Sequence, residues 1–266
     1  MGKIIAIANQ KGGVGKTTTA VNLASALALA QKRVLVIDFD PQANTTSGFG
    51  HKGAEGTGTI YDVLAGRTSL PDIITTTEIT YCYLAPSEKD LSGAEVELAG
   101  MTAREFKLKE AMAPIIHGYE YIFIDCPPSL GLLTVNALTV AHSLLIPLQC
   151  EYYALESVTE LMKTLSRIRE HLNPSIEVEG ILLTMYDERT NLSRQVAEEV
   201  IQYFGEKVYK TIIPRNVRLG EAPSFGQPIL LYDIASKGAE AYLKLSKEFM
   251  ENEKKSSWQG ASGIDS

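Results

Sequence analysis

Hydrophobic residues along this chain fall into short continuous runs that are separated by longer amphipathic stretches. The runs lack the strict alternation of a strand with one solvent-exposed face, and continuous runs of this length are typical of parallel strands buried on both faces. We therefore predict buried strands at residues 3–8, 34–38, 81–85, 121–125, 143–148, 181–185 and 208–213.

Between these runs, apolar residues recur at helical spacing. The pattern predicts helices at residues 16–30, 102–117, 154–171 and 191–204. Strands that alternate with helices favour a parallel sheet with right-handed crossovers. The predicted fold class is therefore α/β, with a doubly wound, mostly parallel sheet and helices on both faces.

The same pattern gives the domain organisation. No repeat or linker divides the sequence, so residues 1–250 are predicted to form a single domain. The glycine-rich residues 48–58 (GFGHKGAEGTG) are expected to form a loop. The polar residues 251–266 are expected to be a frayed helix end followed by a flexible C-terminal tail.

The stretch NQKGGVGKTT at residues 9–18 lies between the first predicted strand and the first long predicted helix. In this position backbone N–H groups and a helix N-terminus can bind phosphate groups. Lys16 is expected to reach the β- and γ-phosphates, Thr17 to bind Mg²⁺ and Thr18 to support the α-phosphate. The predicted nucleotide-binding residues of this loop are Lys11, Gly12, Gly13, Val14, Gly15, Lys16, Thr17 and Thr18.

Two positions of this loop depart from the ordinary phosphate-loop pattern. Gln10 stands where the first glycine would be, and Lys11 adds a second lysine. Because Lys16 already serves the phosphates, Lys11 is either a solvated loop lysine or a group that reaches a nucleotide held by a second copy of the chain. The second role is that of an arginine finger supplied in trans. Spacing alone leaves both roles open.

The stretch KGGVGKTT resembles the deviant Walker A motif of the ParA/MinD ATPases. Five further stretches resemble the ParA/Soj branch of that family: VLVIDFDPQANTTSGFG, YIFIDCPPSLGLLTVNAL, IPLQCEYYALES, GILLTMYDERTNLSRQV and IIPRNVRLGEAPSFGQPI. The resemblance extends from about residue 2 to about residue 250. It implies a P-loop NTPase fold, the cofactors ATP and Mg²⁺, and an ATPase that is weak alone and stimulated by a partner.

Three aspartates follow predicted strands, Asp38 and Asp40 in DFDPQ and Asp125 at the end of YIFID. Functional groups meet at the carboxyl ends of parallel strands, and Asp125 fits a carboxylate that holds Mg²⁺ through water. Asp38 and Asp40 point the same way if their strand continues, or they form turn hydrogen bonds instead. The resemblance makes Asp40 the group that activates the attacking water and Asp38 a supporting group near the metal. Lys11, Lys16 and Asp40 are thus the catalytic candidates.

Pro214 and Asn216 follow the last predicted strand in the tripeptide PRN. An asparagine side chain offers a donor and an acceptor to the edge of a purine base. On its own, the tripeptide is more typical of an ordinary turn. The resemblance places the adenine contacts at Pro214 and Asn216.

The net charge of −7 argues at first against a nucleic-acid partner. The stretch from Arg189 to Arg218 is nevertheless basic, with six basic residues against three acidic residues, which a solvated basic face would also explain. The resemblance implies that an ATP-dependent homodimer binds double-stranded DNA non-specifically, with Arg189 and Arg218 at the matching positions. It also implies a ParB-type centromere-binding partner that stimulates hydrolysis.

Two other functions stay open from the sequence. A MinD-like division-site regulator acts at the membrane surface through a basic amphipathic helix, whereas residues 236–253 favour a packing helix. A small-molecule enzyme of the same fold would need a substrate pocket, for which we find no motif. Because long apolar runs are absent and the three cysteines are widely spaced, we expect a cytoplasmic protein with no membrane partner. The resemblance implies that it is nucleoid-associated in its ATP state.

Overall fold

The computed structural model describes residues 2–51 and 58–261, with side chains described as far as residue 255. Residues 52–57 of the predicted glycine-rich loop lie outside this part of the chain. The strands are β1 (Lys3–Ile7), β2 (Val34–Asp38), β3 (Thr75–Thr76), β4 (Cys82–Ala85), β5 (Tyr121–Asp125), β6 (Ser143–Gln149) and β7 (Glu177–Thr184).

Within the described ranges these strands form one seven-stranded sheet in the order β3-β4-β2-β5-β1-β6-β7. Neighbouring strands pair in parallel, except that β3 runs antiparallel to β4. The α-helices are α1 (Lys16–Leu29), α2 (Asn44–Gly48), α3 (Ile60–Leu64), α4 (Leu70–Ile73), α5 (Leu91–Ala99), α6 (Lys107–Met112), α7 (Leu132–Val140), α8 (Ala154–His171), α9 (Asn191–Phe204), α10 (Val217–Glu221), α11 (Ile229–Tyr232) and α12 (Lys237–Ala261).

Both faces of the sheet are covered, which confirms the predicted fold class. Successive side chains of a strand point to opposite faces, and β1 follows this rule. Ile5 and Ile7 pack in a core with buried residues of α1 and α12, whereas Ile4 and Ala6 pack in a second core with residues of α7 and α8. Burial on both faces explains why these strands are continuous apolar runs in the sequence.

The strand predicted at residues 208–213 is wrong, because this segment makes only isolated bridges beside β7. The backbone N–H groups of Lys210 and Thr211 donate to the carboxylate of Glu248 in α12, at 2.7 and 2.8 Å. The ring of Tyr209 lies over Gly180, where an added Cβ would come within 2.5 Å of the ring. The contacts with Glu248 and Gly180 thus take the place of the regular hydrogen-bond ladder of a β-strand.

The helix predicted at residues 102–117 is also shorter than expected. The helix α6 is flanked by 3₁₀ turns at Arg104–Phe106 and Ile116–Gly118. Ala103 has a φ of 51°, which breaks the helical path before α6. Pro114 follows soon after its end, and a proline has no backbone N–H to continue the helical hydrogen bonds.

The helix α12 continues to Ala261, so the helix end expected after residue 250 occupies residues 251–261. Glu and Lys residues in this stretch are good helix formers. The apolar residues Tyr242, Leu245 and Phe249 are buried against the sheet and α1, so the prediction of a packing helix is confirmed. Residues 262–266 of the expected tail lie outside the described residues. Among the residues that the structure describes, no helix is long and apolar enough to cross a membrane.

Candidate nucleotide-binding site

The phosphate loop connects the end of β1 to the start of α1. Gly13 and Gly15 have φ values of 74° and 90°, in the left-handed region that favours glycine. A Cβ added to Gly12 or Gly13 would meet no atom of the chain within 4 Å. The loop lines a cavity of about 370 Å³ together with residues at the ends of other strands and helices: Gly12, Gly13, Gly15, Lys16, Thr17, Thr18, Asp40, Gln42, Asn44, Pro128 and Met185.

Lys16 is buried at the start of α1 and lines this cavity. Its ammonium group donates to the backbone carbonyls of Asn9 and Lys11, each at 3.2 Å. Burial lowers the pKa of Lys16, and the negative charges of Asp125 and Asp40 oppose that shift. The loop therefore holds a desolvated cation beside the cavity, where it can meet the negative charge of a phosphate.

Asp125 ends β5 beneath the loop and is fully buried. Its Oδ2 accepts hydrogen bonds from the hydroxyls of Thr17, at 2.8 Å, and Thr45, at 2.7 Å. Its Oδ1 is buried without a hydrogen-bond partner among the described residues. Burial raises the pKa of Asp125 to about 6.

These donors fit Mg²⁺, which takes oxygen ligands, one or two carboxylates and substrate phosphates. Thr17 and Asp125, predicted as metal residues, are brought together. Thr45 is a group of this site that the sequence reasoning missed. Its signal is weak: Thr45 lies in the polar run that follows DFDPQ, and such runs are common in turns.

Asp38, at the end of β2, lies beside Asp125 in the sheet register. Its Oδ2 accepts from the N–H and the hydroxyl of Thr46, at 2.7 and 2.6 Å. Burial, followed by the charge of Asp125, raises the pKa of Asp38 to about 7. Asp38 therefore supports the metal region by holding α2, rather than by facing the phosphate cavity.

Asp40 lines the phosphate cavity, whereas Asp38 does not. The strand ends at Asp38, so the condition for the two carboxylates to point the same way is not met. The Oδ1 of Asp40 accepts from the N–H of Gln42 at 2.9 Å, and its carbonyl accepts from the hydroxyl of Ser87 at 3.0 Å. These bonds fix a carboxylate on the same cavity as Lys16.

Pro214 and Asn216 line a second cavity, of about 310 Å³. The two cavities meet at Gly15, Thr18 and Met185, which line both. Asn216 caps α10, because its Oδ1 accepts from the N–H of Arg218 at 2.9 Å. Its amide NH₂ makes no hydrogen bond within the described chain, so the residue keeps a donor for a base.

Of the eight predicted nucleotide-binding residues of the loop, Lys11 and Val14 do not line the phosphate cavity. Val14 is buried, and its carbonyl accepts from the hydroxyl of Thr184 at 2.8 Å. The ammonium group of Lys11 forms an ion pair with Glu151 of the same chain, at the end of β6. Within one chain, Lys11 is therefore directed away from the phosphates that Lys16 would serve.

Arg189 and Arg218 are both exposed, and each is paired with carboxylates. Arg189 makes two hydrogen bonds to Asp187, at 2.8 and 2.7 Å. Arg218 contacts Glu221 at 2.9 Å and Asp233 at 3.4 Å. The predicted basic face is thus less positive than the count between residues 189 and 218 indicates.

Comparison with known proteins identifies the family. A sequence model of the family described as an AAA domain matches residues 2–178. The sporulation initiation inhibitor protein Soj of Bacillus subtilis (strain 168) is 56% identical over 252 residues, which cover 95% of this chain and 100% of that protein. The chromosome partitioning protein ParA of Myxococcus xanthus (strain DK1622) is 54% identical over 253 residues, covering 95% and 89%. The chain belongs to the ParA/Soj family of chromosome partitioning ATPases.

A solved structure supports the same architecture. The cobyrinic acid a,c-diamide synthase of Mycobacterium smegmatis with bound ADP and magnesium has a TM-score of 0.83 at 36% identity, covering 96% of both chains. The ParA/Soj fold is therefore a P-loop NTPase fold, as the loop and the sheet predicted. That the fold is shared with a protein named as a small-molecule enzyme means that function has to be argued from the site.

Proposed function

We propose that this ParA/Soj chain is an ATPase that partitions DNA, and that ATP occupies the two joined cavities. The observation that carries the proposal is the convergence of Lys16, Thr17 and Asp40 on one cavity, with Asp125 hydrogen-bonded to Thr17 behind it. The loop residues bind the phosphates, and Pro214 and Asn216 contact the adenine. Each group lies at the carboxyl end of a parallel strand or at the start of a helix, where ligands of such sheets bind.

Thr17 and Asp125 hold Mg²⁺, with Thr45 orienting the carboxylate and Asp38 fixing α2 beneath it. When bound there, Mg²⁺ offsets negative charge on the phosphate oxygens. Lys16 supplies a second positive charge to the β- and γ-phosphates. The buried position of both groups strengthens this electrostatic stabilisation relative to bulk water.

Asp40 orients and activates the attacking water. The water oxygen attacks the γ-phosphorus, the bond to the β-phosphate oxygen breaks, and the products are ADP and inorganic phosphate. Gln42 holds one oxygen of the Asp40 carboxylate, which leaves the other to accept the hydrogen bond of the water. Positioning of this kind, with charge stabilisation, is most of what phosphoryl transfer requires.

ATP drives formation of a sandwich homodimer with two nucleotides at the interface. Lys11 of each chain leaves Glu151 and reaches the phosphates bound by the other chain. The ion pair is partly exposed, so exchanging its carboxylate for a phosphate costs little. This role makes Lys11 a catalytic group that acts only in the dimer.

The dimer binds double-stranded DNA non-specifically through Arg189, Arg218 and neighbouring basic groups. Once one basic patch of the dimer is on DNA, the other is held at a high effective concentration near the same DNA, so the dimer binds far more tightly than a monomer. Because ATP drives dimerisation, ATP controls DNA binding. A ParB-type partner stimulates hydrolysis, and the monomers then leave the DNA. The protein is accordingly cytoplasmic and nucleoid-associated in its ATP state, without a membrane partner.

A MinD-like membrane role is less well supported, because Tyr242, Leu245 and Phe249 of α12, whose side chains the structure describes, are buried in the core. A gel shift with double-stranded DNA and a sedimentation assay with anionic liposomes, each with and without ATP, test the proposal. We expect ATP-dependent binding to DNA and none to liposomes. The matched control is Lys16→Ala, which should abolish ATP binding and with it the DNA shift. Binding to liposomes but not to DNA would refute the proposal.

A further inference from the structure

Residues 213–215 are held beside Tyr186 at the end of β7. The N–H of Tyr186 donates to the carbonyl of Ile213 at 3.1 Å, and the N–H of Arg215 donates to the carbonyl of Tyr186 at 2.9 Å. This pairing fixes Arg215 between Pro214 and Asn216, the two proposed adenine contacts. Arg215 is therefore on a segment with little freedom to move independently of the nucleotide cavity.

On its other side this segment borders a separate polar cavity of about 430 Å³. Three basic side chains line that cavity, Arg189, Arg215 and Lys237, together with the acidic residues Asp187 and Glu188. The basic residues come from three places in the sequence: the loop after β7, the segment before α10 and the first residue of α12. Only the fold brings them together.

The three basic groups differ in how they are neutralised. Arg189 is held by the bidentate contact with Asp187. Arg215 and Lys237 form no ion pair within 4 Å among residues 2–51 and 58–255. The hydrogen bonds from Arg189, and to a lesser extent the charge of Arg215, lower the pKa of Asp187 to about 2. Asp187 is thus a carboxylate with two guanidinium groups near it, and one of those guanidinium groups remains unpaired.

We propose that Arg215 and Lys237 bind phosphate groups of the DNA backbone at this cavity, and that Asp187 competes with DNA for Arg189. The inference rests on the DNA-binding role proposed above and extends it to residues that the sequence did not single out. Two unpaired cations bind a phosphate without first breaking a contact, whereas Arg189 must exchange Asp187 for it. The planar guanidinium group of Arg189 can donate two parallel hydrogen bonds to a carboxylate or to a phosphate, so the two anions compete for it directly.

Fluorescence anisotropy with two labelled duplexes of unrelated sequence tests the proposal, with ATP present and over a series of KCl concentrations. Arg215→Ala and Lys237→Ala are each expected to weaken binding equally for both duplexes. Each should also lower the slope of log affinity against log salt by about two, because the dimer loses one phosphate contact in each chain. Asp187→Asn should tighten binding of the dimer by up to about 25-fold, about fivefold for the exposed ion pair removed in each chain.

The control is Lys244→Ala, on the same helix as Lys237 but already paired with Glu240 at 2.8 Å. It should leave the affinity and the salt slope unchanged. Lys237 does not line the nucleotide cavity, so Lys237→Ala should keep ATP-dependent dimerisation, measured by light scattering. Loss of dimers in that variant would assign its effect to the interface and overturn the proposal.

The possible failures are distinguishable. If wild-type protein binds neither duplex, the proposed DNA-binding function itself fails. If it binds both, while Arg215→Ala and Lys237→Ala keep the wild-type affinity and slope, the phosphate site is refuted. If Asp187→Asn binds no more tightly than wild type, Asp187 is not a competitor of DNA.

Discussion

The ammonium group of Lys11 and the carboxylate of Glu151 form an ion pair within a single chain. The two residues follow β1 and β6, which are neighbours in the sheet. Because both side chains are partly exposed, such a pair stabilises by at most about 1 kcal/mol. In the proposed dimer Lys11 has to give up this partner, so Glu151 opposes dimerisation slightly.

Glu151→Gln is therefore expected to favour the ATP-dependent dimer, since it removes the competing charge and keeps the size of the side chain. Its dissociation constant, measured by analytical ultracentrifugation with ATP, should fall by up to about 25-fold, about fivefold for the pair in each chain. Glu160→Gln is the matched control, because it removes another exposed lysine pair, with Lys163, far from the loop. A weaker dimer in Glu151→Gln would mean that Glu151 itself contacts the second chain.

Gly12→Val should prevent ATP-dependent dimerisation without harming the fold. A Cβ at Gly12 meets no atom of the described part of its own chain within 4 Å, so we expect a clash only with a partner. Light scattering with ATP should show monomers, while the thermal melting temperature stays near the wild-type value. Gly118→Val adds the same volume at an exposed position that is also free of contacts, and it should form normal dimers. Persisting dimers in Gly12→Val would remove the loop from the interface.

Asp40→Ala should lower the rate of ATP hydrolysis by at least about 100-fold, the usual contribution of a positioned base. ATP-dependent dimers and DNA binding should persist, because Asp40 does not hold the loop or the magnesium donors. Phosphate release under single-turnover conditions measures the hydrolysis step, and a gel shift monitors the ATP-bound state. Unchanged turnover would exclude Asp40 from the mechanism.

Asp125→Asn should change how stability depends on pH. Burial raises the pKa of Asp125 to about 6 in the folded chain, from an ordinary value of 3.8. The folded state therefore binds more protons than the unfolded state between these values, and stability is lost as pH rises. We expect the free energy of unfolding of wild type, relative to Asp125→Asn, to fall from about pH 4 to about pH 6 and then level off.

Urea titrations at several pH values, without nucleotide, measure this difference. The exposed residue Asp90 gives a control variant, Asp90→Asn, for the loss of one negative charge at the surface. A difference that stays constant or grows over the pH window would contradict the assigned effect of burial.

Local patterns in the sequence predicted most of the strands and the helices α1, α8 and α9 with nearly the observed bounds. The strand predicted at residues 208–213 was wrong because a distant contact decided the backbone. This segment has the apolar character of a strand, yet Glu248 of α12 accepts from the N–H groups of Lys210 and Thr211. Hydropathy describes the tendency of a segment to be buried and does not show which partner satisfies its backbone.

The sequence by itself determined the phosphate loop, because its glycines and Lys16 act through neighbours in the chain. Only the tertiary structure decided which groups meet that loop. Thr45 reaches Asp125 across 80 positions, and Lys11 reaches Glu151 across 140. Arg189, Arg215 and Lys237 line one cavity, where Arg215 and Lys237 form no ion pair with any described residue. Such contacts arise because the order of strands in the sheet places the ends of distant loops side by side. The sequence around each contacting residue contains no pattern that predicts its partner.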